Sequence, residues 1–267
     1  MKSMQDLRLL DDKQTRYVFS TGRTGTTLLR EFIKKRNPEF KIAFEPSPSR
    51  QAFILWSAGM RGLMQEDIGR NLIYKWRRKE LLQRNEGQIR IEFDSYLSPL
   101  VAEMLDYSIS PIIVHMVRHP YSWIRSAENF KAAHWRRFII DYLPFAKLIP
   151  PKASTSWSSL NTIERSAWRW VYYNEKLLEC EKAGQNYLCV KYEDFISSDS
   201  KIRNETVNKI LHMLDPQHDT ELDIEWSERM NESSHGKIDH WQDWPTQTLS
   251  NVREICGDLM DNFGYQR

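Results

Sequence analysis

The chain has 267 residues and a mass of 31.9 kDa, a size that suits one α/β domain whose core needs no disulfides. Its net charge of +2, with 28% charged residues, provides no overall field for nucleic acid or an anionic membrane, so any basic site has to be local. Three scattered cysteines without metal-ligand spacing indicate a reducing compartment. Residues 1–16 lack an apolar run for a signal peptide or membrane span, and we expect a soluble, cytoplasmic protein.

The stretch from residue 17 to residue 33 predicts a buried strand, a turn and a helix in immediate succession. Its turn combines two glycines, which allow positive φ and close approach to a ligand, with threonine hydroxyls and a permanent guanidinium charge. The first turn of a helix also leaves backbone N–H groups without partners, so these features together predict an oxyanion site. The alternative, an ordinary turn capped by threonine, needs only one of the hydroxyls. The residues of the predicted site are Gly22, Arg23, Thr24, Gly25, Thr26 and Thr27.

This loop differs from the nucleoside-triphosphate loop, in which a lysine and a magnesium-binding hydroxyl follow the last glycine. Here the cation, Arg23, precedes Gly25, and no lysine follows until Lys34. The apolar strand predicted over 111–117 runs into Arg118, where a magnesium-dependent phosphate-loop enzyme carries an aspartate. We therefore expect a site that requires no metal ion.

A second short strand, over 40–44, leads into Glu45 and a proline-rich turn. A carboxylate where a strand emerges beside a phosphate loop is well placed for chemistry, and the alternative is a surface glutamate before the turn. Residues 51–85 have helical character, and their basic run at 74–80 is either a solvated helix face or a patch for an anionic acceptor. A strand over 88–93 follows, with Asp94 at its carboxyl-terminal end.

The rest of the chain continues an alternation of strands and helices, which predicts one α/β domain over 1–267 with a central parallel sheet flanked by helices. Strand 111–117 is the most apolar stretch, and we expect it at the centre of the sheet. Residues 131–160 are too irregular for one element and too aromatic for a linker, which favours a lid or acceptor-binding insertion. The later elements are a helix over 162–182 with an aromatic stripe suited to the core, a strand over 186–190, and helices over 201–214 and 248–263.

Several of these segments together resemble the sulfotransferases that use 3′-phosphoadenosine 5′-phosphosulfate. The loop at 20–27 is similar to that family's 5′-phosphosulfate loop, with Arg23 where many members carry lysine. Arg118, followed by His119-Pro120 and then by Ser126 eight residues after the arginine, resembles the 3′-phosphate motif. The run Tyr192-Glu193-Asp194 resembles a further family signature after a later strand.

A C-terminal segment extends the resemblance. Gly236, with Trp241 five residues later, is similar to the segment that folds over the nucleotide in the family. Ser234 and His235 stand where a basic pair is expected, and Lys237 is the neighbouring cation. The resemblance therefore implies that Gly236 and Lys237 contact the cofactor.

The resemblance also implies a phosphate-loop-like fold and in-line sulfuryl transfer without metal. In this scheme Arg23 and the loop hydroxyls stabilise charge on the departing 5′-phosphate oxygen, while Arg118 and Ser126 bind the 3′-phosphate. The acceptor would be a hydroxyl or amine of a carbohydrate, a glycolipid or a small molecule. The alternatives are a divergent ATP-dependent kinase and a nucleotide-binding protein that has lost turnover.

The general base is assigned by the same comparison. Carbohydrate and glycan members use a glutamate on the second strand, shortly after a proline turn, and Glu45 follows Pro38 by seven residues. Cytosolic small-molecule members use a histidine in a Lys-x-His segment, and the corresponding strand here has no histidine. We therefore expect Glu45 to be the base, with Asp94 in reserve and His134 as a further alternative.

Overall fold

The structure is a computed structural model that describes residues 15–65, 67–82, 89–105, 111–133, 148–153, 157–183, 186–216 and 238–266. His134, Gly236 and Lys237, with most of the expected insertion at 131–160, lie outside the described residues. The insertion and the roles of those residues therefore stay predictions.

Five parallel strands form the central sheet, in the order β2-β3-β1-β4-β5. Helices flank the sheet, which confirms the predicted α/β fold class. The central strand is β1 rather than the more apolar β4, but β4 pairs with β1 on one side and β5 on the other, so it is equally interior. The strands are β1 (Thr15–Ser20), β2 (Lys41–Phe44), β3 (Arg90–Asp94), β4 (Ile112–Val117) and β5 (Asn186–Lys191).

Most of the helices lie in segments predicted as helical, the helical segment 51–85 contains two helices, and a short helix after β5 was not predicted. None of the described helices is long and apolar enough to cross a bilayer. The helices are α1 (Thr26–Arg36), α2 (Ser49–Met60), α3 (Asp67–Leu82), α4 (Val101–Leu105), α5 (Pro120–Ala133), α6 (Thr162–Lys182), α7 (Tyr192–Phe195), α8 (Ser200–Leu214) and α9 (Thr246–Asn262).

A glycine sets the distance between α2 and α3. A Cβ placed on Gly69 would lie 2.5 Å from the carbonyl oxygen of Ala52 and 2.5 Å from the nitrogen of Trp56. No side chain can occupy that position without moving the neighbouring backbone, so the two helices pack backbone against backbone.

Alternating residues of β1 enter the hydrophobic cores on the two faces of the sheet. Tyr17 and Phe19 pack with Phe53, Trp56 and other residues on one face. Val18 packs on the other face, against α1 and α8. Both faces of the sheet are therefore covered by hydrophobic side chains.

One buried set of charges lies on β3 and α3, and we call it the β3 charge cluster. It consists of Arg77, Glu80, Arg90 and Glu92. Arg77 is 4% exposed and donates from Nη2 to Oε1 of Glu92 at 2.7 Å and from Nη1 to Oε2 of the same carboxylate. Neither interpretation of the basic run at 74–80 fits Arg77. It forms an internal ion pair, so it is neither part of a solvated helix face nor part of an acceptor patch.

Candidate active site

The loop after β1 has the backbone of an anion site. Gly22, Arg23 and Gly25 all have left-handed φ, at 72°, 57° and 79°. Helix α1 begins directly after Gly25, which has no side chain to cap the helix, so the first N–H groups of α1 lack an internal acceptor. The hydroxyl of Thr24 is buried without a hydrogen-bond partner among the described residues. The loop thus presents donors that a bound anion would satisfy.

Neighbouring elements hold this loop in place. The N–H of Ser20 donates to Ser98 Oγ at 3.1 Å, and Ser98 Oγ lies 2.8 Å from the Ser20 carbonyl oxygen, to which it donates. The indole Nε1 of Trp123, on α5, donates to the carbonyl oxygen of Gly22 at 2.8 Å. Sequence patterns did not identify Ser98 or Trp123, because their role depends on which strand ends and helices meet in the fold.

Arg118, at the end of β4, reaches the same loop. Its Nη1 donates to the carbonyl oxygen of Arg23 at 3.0 Å, and its guanidinium carbon lies 4.4 Å from the centre of the Tyr192 ring. Its own carbonyl oxygen accepts from the indole of Trp170 at 2.9 Å, so the aromatic stripe of α6 is core that also fixes this turn. The motifs predicted for the two phosphates are therefore in direct contact.

Ser126 lies at the junction of these motifs. Its Oγ accepts a hydrogen bond from Arg23 Nε at 3.2 Å, and the Arg23 guanidinium also lies 4.5 Å from the centre of the Phe130 ring. Ser126, on α5, and Arg23, in the loop, thus touch each other, although they were predicted to bind opposite ends of a nucleotide. The loop and α5 are therefore joined directly through Arg23.

The segment after β5 closes the site from the other side. Glu193 accepts from the backbone N–H of His119 at 3.0 Å and from the Tyr265 hydroxyl at 2.8 Å. A Cβ on Gly25 would lie 3.0 Å from the ring of Tyr192, so the glycine is required by space as well as by its φ. The run Tyr192-Glu193 therefore positions the loop and the turn after Arg118.

Glu45 stands at the end of β2 in a strained conformation. Its φ is 41°, although its N–H still donates to the carbonyl oxygen of Phe93 at 2.8 Å and extends the β2–β3 ladder. Its carboxylate oxygen Oε1 accepts from Ser95 Oγ at 2.6 Å. Ser95 in turn lies beside the loop, since a Cβ on Gly22 would be 3.7 Å from Ser95 Cβ. A single side chain thus connects Glu45 with the anion loop.

Asp94 is differently placed. It is 2% exposed, and its Oδ1 accepts from the backbone N–H groups of Tyr96 at 2.9 Å and Leu97 at 3.0 Å. Burial, together with the charge of Glu92, raises the pKa of Asp94 to about 7. Its carboxyl group holds a turn beneath the site, whereas Glu45 is less deeply buried. Among the described residues, no three His, Cys, Asp or Glu side chains are grouped so that they could hold a metal ion.

Aromatic side chains lie on the Glu45 side of the loop. The Phe53 ring centre lies 5.9 Å from that of Tyr96 and 6.5 Å from that of Tyr173. Burial raises the pKa of Tyr173, and the charges of neighbouring groups that act on it include that of Glu45. Tyr96 directly follows Ser95, which donates to Glu45, so the ring of Tyr96 is the one that the chain places next to this carboxylate.

Comparison with solved structures identifies the fold. No protein-family profile matches the chain, and no curated protein matches it in sequence. A sulfotransferase from Alicyclobacillus acidocaldarius is similar with a TM-score of 0.51 and 11% identity, over 95% of this chain and 96% of that one. The sulfotransferase domain of an olefin synthase from Synechococcus PCC 7002 gives 0.50 and 13%, over 96% and 97%. A sulfotransferase from Mycobacterium avium gives 0.50 and 12%, over 98% and 81%. The chain therefore has the sulfotransferase fold.

Proposed function

We propose that the protein is a sulfotransferase that moves a sulfuryl group from 3′-phosphoadenosine 5′-phosphosulfate to an acceptor, leaving adenosine 3′,5′-bisphosphate. The observation that carries the proposal is backbone strain at two positions. Arg23 and Glu45 are the residues other than glycine with positive φ in the part of the chain that the structure describes. Such strain costs about 1 to 3 kcal/mol and is concentrated at active sites. Both residues flank one loop, one as a cation and one as a carboxylate.

The donor fits the polar groups of the loop. The 5′-phosphosulfate would accept hydrogen bonds from the first N–H groups of α1 and from the buried hydroxyl of Thr24. The 3′-phosphate would bind Arg118, whose buried Nε has no acceptor among the described residues. Thr26 and Thr27, the first two residues of α1, add hydroxyl groups at the same helix end.

The chemistry then needs one base and one group of charge-stabilising donors. Glu45 takes the proton from an acceptor hydroxyl or amine while that oxygen or nitrogen bonds to sulfur, and Ser95 holds the carboxylate through its 2.6 Å hydrogen bond. The bond between sulfur and the 5′-phosphate oxygen breaks at the same time. Arg23 and the loop N–H groups stabilise the negative charge that builds up on that oxygen.

The acceptor would lie beside Glu45, against the rings of Phe53, Tyr96 and Tyr173. Aromatic rings suit an acceptor with an apolar or ring-shaped body and one reactive hydroxyl or amine. Carbohydrates, glycolipids and small molecules such as phenols all meet that description. A panel of these acceptors with radiolabelled donor would identify the class.

The experiment that tests the proposal is a melting series with nucleotides, followed by a transfer assay. A ligand that binds only the native state stabilises it by about 2.7 kcal/mol at a hundredfold excess over Kd. We expect adenosine 3′,5′-bisphosphate to raise the melting temperature without added metal, and ATP to raise it far less. An equal shift from ATP with magnesium would support a kinase instead, and bisphosphate binding without any sulfuryl transfer would support a nucleotide-binding protein without turnover.

A further inference from the structure

We propose that Arg125 is a second guanidinium of the 3′-phosphate pocket, facing Arg118, and that it determines the preference for a 3′-phosphorylated nucleotide. The inference rests on the proposed function and assigns a role to a residue that no sequence motif singled out. It is argued from the position of Arg125 on α5 and from the hydrogen bonds that two guanidinium groups lack.

Helix α5 turns Arg125 toward the same segment as Asn129. Trp123 and Ser126 face the loop, because they contact Gly22 and Arg23. Asn129, one turn after Arg125, accepts from the N–H of Ile238 at 2.9 Å. Residues four apart on a helix lie on nearly the same side, so Arg125 faces the segment that begins at Ile238 and adjoins the loop-facing Ser126.

Among the residues that the structure describes, neither guanidinium has an ion-pair partner. The Nε atoms of Arg118 and Arg125 are both buried and have no acceptor among the described residues, and neither side chain forms an ion pair there. Glu193 acts on Arg118 electrostatically, but its two oxygens already accept from His119 and Tyr265. Polar nitrogen atoms buried in this way are costly unless a ligand completes their hydrogen bonds.

The charges of Arg118 and Arg125 also interact. Burial lowers the pKa of Arg118, and the charge of Arg125 lowers it further, although Tyr192 and Glu193 act in the opposite direction. Two like charges that are both partly desolvated repel each other unless an anion lies between them. A phosphate monoester carries nearly two negative charges and three acceptor oxygens, so it can satisfy both forks at once. A hydroxyl at the 3′ position carries no charge and cannot satisfy both guanidinium groups.

The test compares two nucleotides on matched variants. Calorimetry measures the Kd of adenosine 3′,5′-bisphosphate and of adenosine 5′-phosphate for the wild type, Arg125→Gln, Arg125→Lys and Arg70→Gln. We expect Arg125→Gln to weaken the bisphosphate about tenfold or more while the 5′-phosphate changes less than about twofold. Arg125→Lys, which keeps the charge but loses the fork, should fall in between. Arg70 lies on α3 in an exposed pair with Asp67, so Arg70→Gln should behave as the wild type.

Each outcome distinguishes this inference from the proposed function. If the wild type prefers the bisphosphate and Arg125→Gln keeps that preference, Arg125 is not part of the pocket and only the present inference falls. Equal losses for both nucleotides would also overturn it, since they would indicate damage to the loop. A wild type without any preference for the bisphosphate would overturn the proposed function itself. Melting curves without ligand, together with Arg125→Lys, separate loss of binding from loss of folding.

Discussion

Two sets of arginines in this protein have opposite surroundings. In the β3 charge cluster, Arg77 is paired with Glu92 and Arg90 with Glu80. Arg118, which follows β4, and Arg125, on α5, are half-buried and have no carboxylate in ion-pair contact among the described residues. The first set thus has its anions within the described part of the chain, and the second has none there. We expect the first set to serve the fold and the second to serve a ligand.

The comparison explains why the net charge alone did not indicate where an anion site would lie. A net charge of +2 leaves almost no excess of cations, yet the distribution is uneven inside the molecule. Removing one partner of a buried pair leaves an uncompensated charge and destabilises the fold. Removing a cation that has no carboxylate partner among the described residues should spare the fold and weaken ligand binding. These opposite expectations are tested by the variants that follow.

Replacing Glu45 is expected to have the largest effect, and on turnover. Glu45 is the carboxylate beside the loop, and it pairs with no arginine among the described residues. Glu45→Gln keeps the shape and the contact with Ser95 but cannot accept a proton. Turnover should drop roughly 10²- to 10⁴-fold while the Kd of the bisphosphate changes little. Initial rates with saturating donor and acceptor, with calorimetry for binding, measure the two quantities. Turnover within a few-fold of the wild type would show that the base is elsewhere, and Asp94→Asn would then be examined next.

Arg77→Met tests the structural side of the comparison. The change leaves Glu92 buried without its two-pronged partner, so the free energy of unfolding should fall by about 3 to 5 kcal/mol. Urea unfolding followed by circular dichroism measures this loss. The double variant Arg77→Met with Glu92→Gln is the control, and it should lose less than the sum of the single variants. A single-variant loss below about 1 kcal/mol would mean that the β3 charge cluster contributes little to the fold.

His115 sharpens the comparison as a buried basic group that is kept neutral. Its Nε2 donates to Asn174 Oδ1 at 2.8 Å, and its Nδ1 lies 2.6 Å from the Tyr187 hydroxyl, from which it accepts. Burial, only partly opposed by the Asn174 hydrogen bond, lowers the pKa of His115 to about 4. The neutral ring therefore contributes stability that is present above pH 6.5 and is lost as the pH falls toward 4.

The pH dependence of His115→Gln measures that contribution. The difference in unfolding free energy between the wild type and the variant should shrink by roughly 3 kcal/mol between pH 7.5 and pH 4. Nuclear magnetic resonance titration of the ring gives the pKa directly. A constant difference over this range, or a ring pKa near 6.5, would contradict the assignment.

Arg118→Ala is expected to have the smallest effect, and on binding rather than on folding. Loss of a charge-assisted contact costs about 1.5 to 3 kcal/mol, which corresponds to a Kd about ten to a hundred times higher for the bisphosphate. The melting temperature without ligand should change little. A variant that bound the bisphosphate as the wild type does would remove Arg118 from the phosphate site. One that unfolded as readily as Arg77→Met would erase the distinction between the two sets.

The sequence was most informative where local chemistry decides the structure. The strand, turn and helix around the loop at 20–27 were predicted from an apolar run, a turn of glycine and threonine, and helical spacing, and the helix over 162–182 was predicted with the observed ends. Asn161 and Glu164 explain that accuracy, since they form a reciprocal cap at the start of α6. Fold class followed from the alternation of strands and helices.

Residues whose roles depend on tertiary placement were not found. Ser95, Ser98, Trp123 and Arg125 are ordinary residues in the sequence, and they gain a role only because parallel strands end at one edge beside α5. Arg77 was misread for the same reason, because nothing local shows that its partner is Glu92 on β3. Contacts between residues far apart in the chain cannot be read from spacing.

The hydrogen bonds of Glu193 have a consequence for how the protein is made. This carboxylate joins His119, 74 positions earlier, to Tyr265, 72 positions later. A ribosome completes the loop and Arg118 long before it reaches Tyr265, so the nascent chain carries an unfinished candidate site through more than half of these 267 residues. The candidate site is therefore completed late in synthesis, when the segment after α9 brings Tyr265 to Glu193.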